Sequence, residues 1–416
     1  MSPLTSTAAL LEGAAAPHVT LADIRAAAAR IKGAVLRTPT IRSDALSKAT
    51  GATIHLKLDN LQATGAFKER GAANRIALLT PRERAAGVIA MSAGNHAQAV
   101  ARHASLAGIA ATIVMPKYTP ATKVTRTEGW GAKVVLVGET LAEAAAHAWD
   151  LAAREGLTFI HPYDDPAVIA GQGTAALEML EDFPAIDTLA VPVGGGGLLT
   201  GCAAAAKELK PGAVVYGVEV EHYPAMAQRL AGQPIQVGGP TVAEGIAVRD
   251  VGELPFHWLQ RHRTEVLVVP ERAVEEAIAL LAEGAKLVAE GAGAAGLAAV
   301  LAFPERFSGK SVGIPVCGGN IDARALSNVL LRQLLRDGRI LRLTFEIPDR
   351  PGMLADIARR ISDLGGNVIE VQHQQLFGAP TVQSTELHLM VEVRDAALGN
   401  SIIAALQAGK YVVRRG

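Results

Sequence analysis

The chain has 416 residues, half of them apolar and only 4% aromatic, and its 40 basic residues balance 40 acidic ones. This length predicts two or three domains with a core built mainly from Ala, Val, Leu and Ile. A balanced charge without a basic patch argues against a nucleic-acid partner.

Two further features bear on the location of the protein. The two cysteines, Cys202 and Cys317, cannot form a disulfide framework and have no metal-ligand spacing. The N-terminus shows no secretion signal, and no window of about 18 residues is apolar enough to span a membrane. We therefore expect a cytoplasmic protein with no membrane partner.

The first three quarters of the chain predict an α/β fold. Residues 1–19 are rich in Ala, Ser, Thr and Pro and are expected to be flexible, whereas Thr20 is the predicted N-cap of a helix. From about 51 to 325, strand-like runs such as 112–116 and 214–219 alternate with helical runs. This alternation predicts a doubly wound parallel sheet.

A lysine in the segment Thr-Gly-Ala-Phe-Lys-Glu-Arg-Gly, residues 64–71, is the first candidate for chemistry. Lysine can form a Schiff base with a carbonyl cofactor and, once released, act as a proton base. A lysine at a helix start is by itself usually a solvated surface residue. Lys68 therefore gains significance only from the segments that follow it.

Three glycine-containing segments, residues 92–98, 193–201 and 316–322, each follow an apolar strand-like run. Ligand sites in open parallel sheets lie at the carboxyl ends of the strands. The three segments are therefore expected to form walls of one site.

Four consecutive glycines, Gly194, Gly195, Gly196 and Gly197, predict an anion site, because their N–H groups and the next helix can approach a phosphate. A flexible turn is the alternative. The segment lacks the Gly-Lys-Ser/Thr of nucleotide loops and does not fit G-x-G-x-x-G. A single phosphate is the better fit.

The segment at 92–96 can present several backbone amides to a substrate carboxylate at a helix N-terminus. Its residues are Ser92, Ala93, Gly94, Asn95 and His96. Asn95 is also placed to reach a cofactor ring oxygen, and the His96 side chain is expected to be structural rather than a general base. Cys317 is either a small buried hydrophobe or a group facing a cofactor ring nitrogen.

A second domain is predicted after residue 338. The sequence alternates with period two over 340–347, and the turn Asp349-Arg350-Pro351-Gly352 precedes helical spacing over 353–364. The remaining elements are strands at 367–375 and 385–393, a helix at about 398–408 and a strand at 411–414. This βαββαβ order is the ferredoxin-like arrangement.

Together, these motifs resemble the pyridoxal-phosphate enzymes of the tryptophan-synthase-β type, and among them the threonine dehydratases, or threonine ammonia-lyases. The resemblance runs from about 20 to 325. It implies that Lys68, with Phe67 beside it, binds pyridoxal 5'-phosphate as a Schiff base. It also implies a phosphate site formed by the four glycines and Leu198, Cys317 under the pyridine nitrogen, and Glu290 near the ring.

This resemblance implies a two-lobed catalytic domain over 20–330, known as fold type II, with a smaller lobe at about 55–160. The implied reaction is α,β-elimination of L-threonine, and of L-serine, to 2-oxobutanoate or pyruvate and ammonia. The Lys68 amine would remove the Cα proton. A neutral Cys317 thiol would not keep the pyridine nitrogen protonated, which favours elimination over transamination.

Three alternative functions remain open. A serine racemase needs a serine hydroxyl where this chain has Ala93, and a hydroxyaspartate dehydratase needs a further cation for the second carboxylate. A non-catalytic amino-acid sensor would not need Lys68 and all three loops. Some relatives hold a cation after the strand ending at Glu219, but Tyr223 and Ala225 follow here, so no metal is predicted.

Residues 338–416 resemble the ACT regulatory domains of biosynthetic enzymes. The resemblance implies an amino-acid effector, with a branched-chain amino acid as the first candidate. The turn at 349–352 and the helix after it are expected to bind the effector's carboxylate. A domain that only dimerises is the alternative, and a homodimer or homotetramer is expected.

Overall fold

The computed structural model describes residues 19–374, 384–409 and 411–415. The chain divides into two units, the first ending at Ile321 and the second beginning at Asp322. All of the predicted flexible segment 1–19 except Val19 lies outside the described residues.

Two sheets, parallel in all but one strand pair, form the framework of the first unit. Its strands are β1 (Thr40–Ser43), β2 (Thr53–Lys57), β3 (Val88–Met91), β4 (Ala111–Met115), β5 (Lys133–Leu136), β6 (Thr158–Phe159), β7 (Thr188–Pro192), β8 (Val214–Val220), β9 (Glu265–Val269) and β10 (Ser311–Pro315). The six-stranded sheet has the order β1-β2-β10-β7-β8-β9 and is parallel except for β1. The four-stranded sheet, β5-β4-β3-β6, is entirely parallel. The predicted two-lobed α/β fold is confirmed.

Helices connect these strands. They are α1 (Leu21–Ile31), α2 (Asp44–Thr50), α3 (Lys68–Ala77), α4 (Pro81–Ala86), α5 (Asn95–Leu106), α6 (Ala121–Glu128), α7 (Leu141–Glu155), α8 (Pro166–Asp182), α9 (Gly197–Leu209), α10 (Ala225–Leu230), α11 (Glu253–Arg261), α12 (Glu271–Gly284), α13 (Gly291–Ala302) and α14 (Pro304–Phe307), with 3-10 turns at Asp59–Leu61 and Glu244–Ile246. The predicted N-cap Thr20 is confirmed. Its hydroxyl accepts from the amide of Asp23, whose carboxylate accepts from the Thr20 amide at 2.9 Å.

The smaller lobe differs from its predicted start near residue 55. Strand β2 pairs in parallel with β10, from Thr53 opposite Ser311 to Lys57 opposite Pro315, so it belongs to the six-stranded sheet. The strands of the smaller lobe begin only at Val88. Local sequence marks a strand but does not fix which distant strand it pairs with.

Close helix packing sets the position of α3, which begins at Lys68. A Cβ atom on Gly171 of α8 would lie 2.5 Å from the carbonyl oxygen of Arg70 in α3. Glycine therefore lets the two backbones touch, as no larger residue could. Such contacts hold α3 directly against α8 in a core that has few aromatic side chains.

The second unit has the predicted ferredoxin-like order. It consists of α15 (Ala323–Arg336), β11 (Ile340–Pro348), α16 (Met353–Asp363), β12 (Asn367–Gln374), β13 (Ser384–Glu392), α17 (Ala396–Ala408) and β14 (Val412–Arg415). The antiparallel sheet has the order β12-β13-β11-β14. Helix α15, whose first part falls in the predicted catalytic range 20–330, packs on β11 in this unit. Residue 375 of the predicted strand lies outside the described residues.

Candidate active site

The lysine segment is joined to the end of β10 by backbone hydrogen bonds. The amide of Phe67 donates to the carbonyl oxygen of Cys317 at 2.9 Å, and Ala66 bridges to Gly318. Lys68 follows as the first residue of α3. The structure therefore places Lys68 and Cys317, which are far apart in sequence, on neighbouring backbone segments.

The Lys68 amine is half-buried and donates a hydrogen bond to the carbonyl oxygen of Pro162 at 2.7 Å. Burial lowers the pKa of Lys68 to about 8. The Phe67 ring lies beside it, 5.3 Å from the amine nitrogen to the ring centroid. An amine with this pKa has a neutral fraction near physiological pH that can react as a nucleophile or a base.

Asn95 and Glu290 meet across the two lobes. The Asn95 amide nitrogen donates to a Glu290 carboxylate oxygen at 2.7 Å, while its oxygen accepts from Asn320 at 2.8 Å. Burial raises the pKa of Glu290 to about 7. The first turn of α5 is therefore fixed to the residue that immediately precedes α13.

The glycine loop links β7 to α9. Gly196 is the N-cap of α9 and adopts a left-handed conformation with φ of 95°. A Cβ on Gly195 would lie 2.2 Å from the Tyr163 ring, and the Gly195 carbonyl accepts from the amide of Gly252 at 3.0 Å. The first-turn amides of α9, including those of Gly197 and Leu198, have no partner within the helix. They are suited to an anion.

The loop at 92–94 leads directly into α5. The Ser92 hydroxyl accepts from the Gly94 amide at 3.2 Å, and Ala93 packs partly against the core of the smaller lobe. His96 is buried, and its Nε2 pairs with the carbonyl oxygen of Ile160 at 2.8 Å. Burial lowers the pKa of His96 to about 3, so its ring is neutral. This environment fits a structural histidine.

Cys317 is buried at the end of β10. Burial, together with the nearby Glu290 carboxylate, raises the pKa of its thiol well above the ordinary range. Cys317 is therefore a neutral thiol.

Several residues of this region are not predicted from the sequence as site residues. Tyr163 packs on Gly195, lies with its ring centroid 6.0 Å from the Lys68 amine nitrogen, and donates its hydroxyl to the carbonyl oxygen of Asp250 at 2.6 Å. The segment 242–252 makes two further contacts with the site. Gly245 lies against the Glu290 carboxylate, and the Gly252 amide donates to the Gly195 carbonyl oxygen. A signal for Tyr163 does exist, since it follows β6 as the other loops follow their strands, but β6 has only two residues.

Glu219 is engaged by backbone groups. Its two carboxylate oxygens accept from the amides of Met226 and Ala227 at 2.8 and 2.9 Å. Within residues 19–374, 384–409 and 411–415, no three His, Cys, Asp or Glu side chains are grouped so as to hold a metal ion.

None of the helices in the described part of the chain combines the length and the apolar character that crossing a membrane requires.

Two protein families match this chain, one in each of its two parts. A family described as pyridoxal-phosphate dependent enzyme matches residues 31–318, and the ACT domain family matches residues 338–414. The L-threonine ammonia-lyase of Thermotoga maritima is 43% identical over 398 residues, covering 95% of this chain and 99% of that relative.

Two solved structures are also similar. The processed form of threonine deaminase isoform 2 from Solanum lycopersicum has a TM-score of 0.71 and 33% identity, and the match covers 76% of this chain and 87% of that one. A serine racemase from Dictyostelium discoideum has a TM-score of 0.69 and 35% identity, with coverage of 73% and 99%.

The raised pKa of Glu290 leads to a testable pH dependence. The carboxyl pKa is about 7 in the folded protein, against its ordinary 4.5, so the folded state retains the proton longer as pH rises. The stability associated with this proton is fully present below pH 4.5 and is lost as pH rises to about 7. We expect Glu290→Gln to flatten this decline in the cofactor-free protein, measured as urea unfolding free energy from pH 5 to 8.

Glu265→Gln is the control for removing one carboxylate, because Glu265 forms an exposed ion pair with Arg306 at 3.1 Å. Parallel pH curves for Glu290→Gln and the unmodified protein would contradict the expectation.

Proposed function

Because the chain belongs to the family of pyridoxal-phosphate-dependent enzymes, we propose that the residues around Lys68 form the active site in which the Cα proton and the Cβ hydroxyl of L-threonine are eliminated as water, before hydrolysis releases ammonia. One observation carries this proposal: the Lys68 amine is half-buried and has a lowered pKa. It lies between the end of β10 and the loop of Pro162 and Tyr163, which packs on Gly195. The chain is a lyase that converts L-threonine to 2-oxobutanoate and ammonia. L-Serine, giving pyruvate, is proposed as a second substrate.

The residues present fit pyridoxal phosphate. Lys68 would hold the cofactor covalently, the amides at 194–198 would bind its phosphate, and Asn95 would reach a ring oxygen. Cys317 would lie at the ring nitrogen, with Phe67 and Glu290 beside the ring. When bound, this cofactor takes up electrons released at the substrate Cα.

The chain's own groups divide the remaining work. Backbone amides at 92–96, at the N-terminus of α5, are proposed to bind the substrate carboxylate. The Lys68 amine takes the Cα proton, for which a pKa of about 8 is suitable. The neutral Cys317 thiol does not offer the negative charge that would keep a ring nitrogen protonated. These features support elimination.

Serine racemases share the fold, and their similarity keeps racemisation as the second candidate. Ala93 carries no hydroxyl, so position 93 does not supply the second proton donor that racemisation requires. The similarity of the T. maritima ammonia-lyase over 95% of this chain also supports a lyase. The alternatives of hydroxyaspartate dehydration and of a non-catalytic sensor have less support.

An amino-acid effector is proposed for the ACT domain. A cavity of about 290 Å³ is lined by the turn at 348–352, by the start of α16 and by His373 and Thr385. Asp349 offers a carboxylate to an ammonium group, and the N-terminus of α16 offers amides to a carboxylate. Isoleucine or valine is the proposed ligand, because 2-oxobutanoate feeds isoleucine synthesis.

We propose that the enzyme is a cytoplasmic homo-oligomer. Strands β12 and β14 are the edges of the ACT sheet, and an edge strand can pair with a second copy of the chain. This supports a homodimer or homotetramer. A cytoplasmic location is proposed because both cysteines are free thiols.

Replacing Lys68 tests the catalytic assignment. We expect Lys68→Ala to lose borohydride-trappable cofactor and to lower threonine turnover by about a thousandfold or more, because a covalent catalyst is removed. Keto-acid release and borohydride labelling are the measurements. Lys48→Ala, at an exposed lysine of α2, is the control and should retain both. Full activity in Lys68→Ala would refute the assignment.

Ala93 provides the test that separates a lyase from a racemase. With L-serine, we expect pyruvate and little D-serine from the unmodified enzyme, as measured by chiral chromatography. Ala93→Ser adds the missing proton donor and should raise the D-serine fraction. Substantial D-serine from the unmodified enzyme would overturn the preference for elimination.

Effector binding can be tested on the full chain by calorimetry. We expect isoleucine or valine to bind and to shift the apparent threonine affinity by about 5- to 150-fold, the usual range of coupling between sites. Asp349→Ala should weaken this binding, whereas Asp363→Ala, at the far end of α16, should not. If no amino acid binds, the proposed regulatory role is wrong.

A further inference from the structure

Glu69 directly follows Lys68, and its carboxylate is almost completely buried. One carboxylate oxygen accepts from the backbone amide of Thr64 at 2.5 Å. The other accepts from Arg102 at 3.0 Å and from His103 Nε2 at 3.1 Å. The proposed reaction uses none of these contacts.

Glu69 remains ionised in this environment. Burial alone would raise its pKa, but hydrogen bonds from His103 and the Thr64 amide, together with the charge of Arg102, lower it. The carboxylate is therefore a strong acceptor for all three donors.

The contacts of Glu69 close a ring of hydrogen bonds. The carbonyl oxygen of Thr64 accepts from Asn320 at 2.7 Å, and Asn320 also donates to Asn95 at 2.8 Å. Asn95 and His103 both belong to α5, about two helical turns apart. The Thr64 carbonyl group is thus linked through Asn320 to Asn95, at the start of α5. The Thr64 amide is linked through Glu69 to His103, near the end of α5.

This ring connects the two sides of the proposed active site. Thr64 begins the loop that leads into Lys68, while the first turn of α5 carries the amides proposed to bind the substrate carboxylate. A ring of hydrogen bonds through buried groups resists small displacements, because opening it leaves a buried donor or acceptor without a partner.

We propose that Glu69 is a positioning residue, which sets the distance between the Lys68 amine and the loop at 92–96. This inference rests on the proposed role of Lys68 as the proton base. Glutamine cannot replace Glu69, because its amide would place N–H groups against the donors of either Thr64 or Arg102. Loss of the ring should misplace Lys68 relative to a substrate whose carboxylate remains bound.

The test uses the full-length, cofactor-loaded enzyme with Glu69→Gln. We expect kcat for threonine to fall about 10- to 100-fold, as misplacement by about 1 Å can do, while KM changes less than about threefold. Borohydride-trapped cofactor should stay at the unmodified level. Hydrogen exchange in a peptide spanning residues 62–67 should become faster, because opening the ring at either oxygen of residue 69 loosens the segment that holds the Thr64 amide.

Glu83→Gln is a matched control. Glu83 also accepts from a backbone amide, that of Thr80 at 2.7 Å, and pairs with Arg75 at 3.6 Å, but it lies on α4 near the surface. Its kcat should stay within about twofold of the unmodified enzyme. The double variant Glu69→Gln/His103→Leu should lose no more than about twofold beyond Glu69→Gln, since the ring is already open.

Three results would overturn the proposal: an unchanged kcat in Glu69→Gln, an equal fall in Glu83→Gln, or a loss of bound cofactor parallel to the loss of kcat. If Glu69→Gln does not fold, Arg102→Gln and His103→Leu test the ring from α5, and unchanged kcat in both would refute it. An unmodified enzyme that does not deaminate threonine would instead refute the proposed function. The hydrogen-exchange result distinguishes that case, because it reports on the ring without turnover.

Discussion

A completely buried arginine holds the catalytic half of the molecule together. Arg70 donates to both oxygens of Asp59 at 2.7 and 2.8 Å and to both oxygens of Glu178 at 2.9 and 3.0 Å. Asp59 follows β2, and Glu178 lies in α8. Removing one partner of such a buried pair typically costs about 3–5 kcal/mol, because it leaves an uncompensated charge in the interior. Since Arg70 stands two residues after Lys68, this constraint also fixes the start of α3.

Neighbouring residues of α3 are anchored in different directions. Arg70 connects to β2 and α8 of the large lobe, whereas Glu69 connects to α5 of the smaller lobe. The close approach of α8 to the Arg70 carbonyl at Gly171 leaves little room for α3 to slide. The Lys68 side chain therefore projects from a backbone that is held on both sides. A fixed backbone suits the proposed role of Lys68, whose amine would leave the cofactor and then reach the Cα proton of the substrate.

Local sequence predicts most of the fold, because each strand and helix carries its own pattern. The ferredoxin-like order of the second unit follows from alternating strands and amphipathic helices. The strand at β2 is recognisable, but its sheet is not, because its partner β10 lies more than 200 residues away. The Arg70–Glu178 and Asn95–Glu290 contacts are hidden for the same reason, since tertiary packing alone brings them together. Tyr163 is missed because a two-residue strand is too short to show a pattern.

The carbonyl oxygen of Pro162 gives the Lys68 amine a resting partner that belongs to the backbone. A carboxylate at this position would favour the ammonium form and raise the pKa of the lysine, whereas a carbonyl accepts a hydrogen bond without adding a full negative charge. The carbonyl oxygen thus holds the amine in place without the increase in pKa that a carboxylate would cause. A change of side chain at residue 162 does not remove this backbone oxygen. The hydrogen-bond acceptor of the Lys68 amine is therefore kept in any substitution there that leaves the backbone of the loop in place.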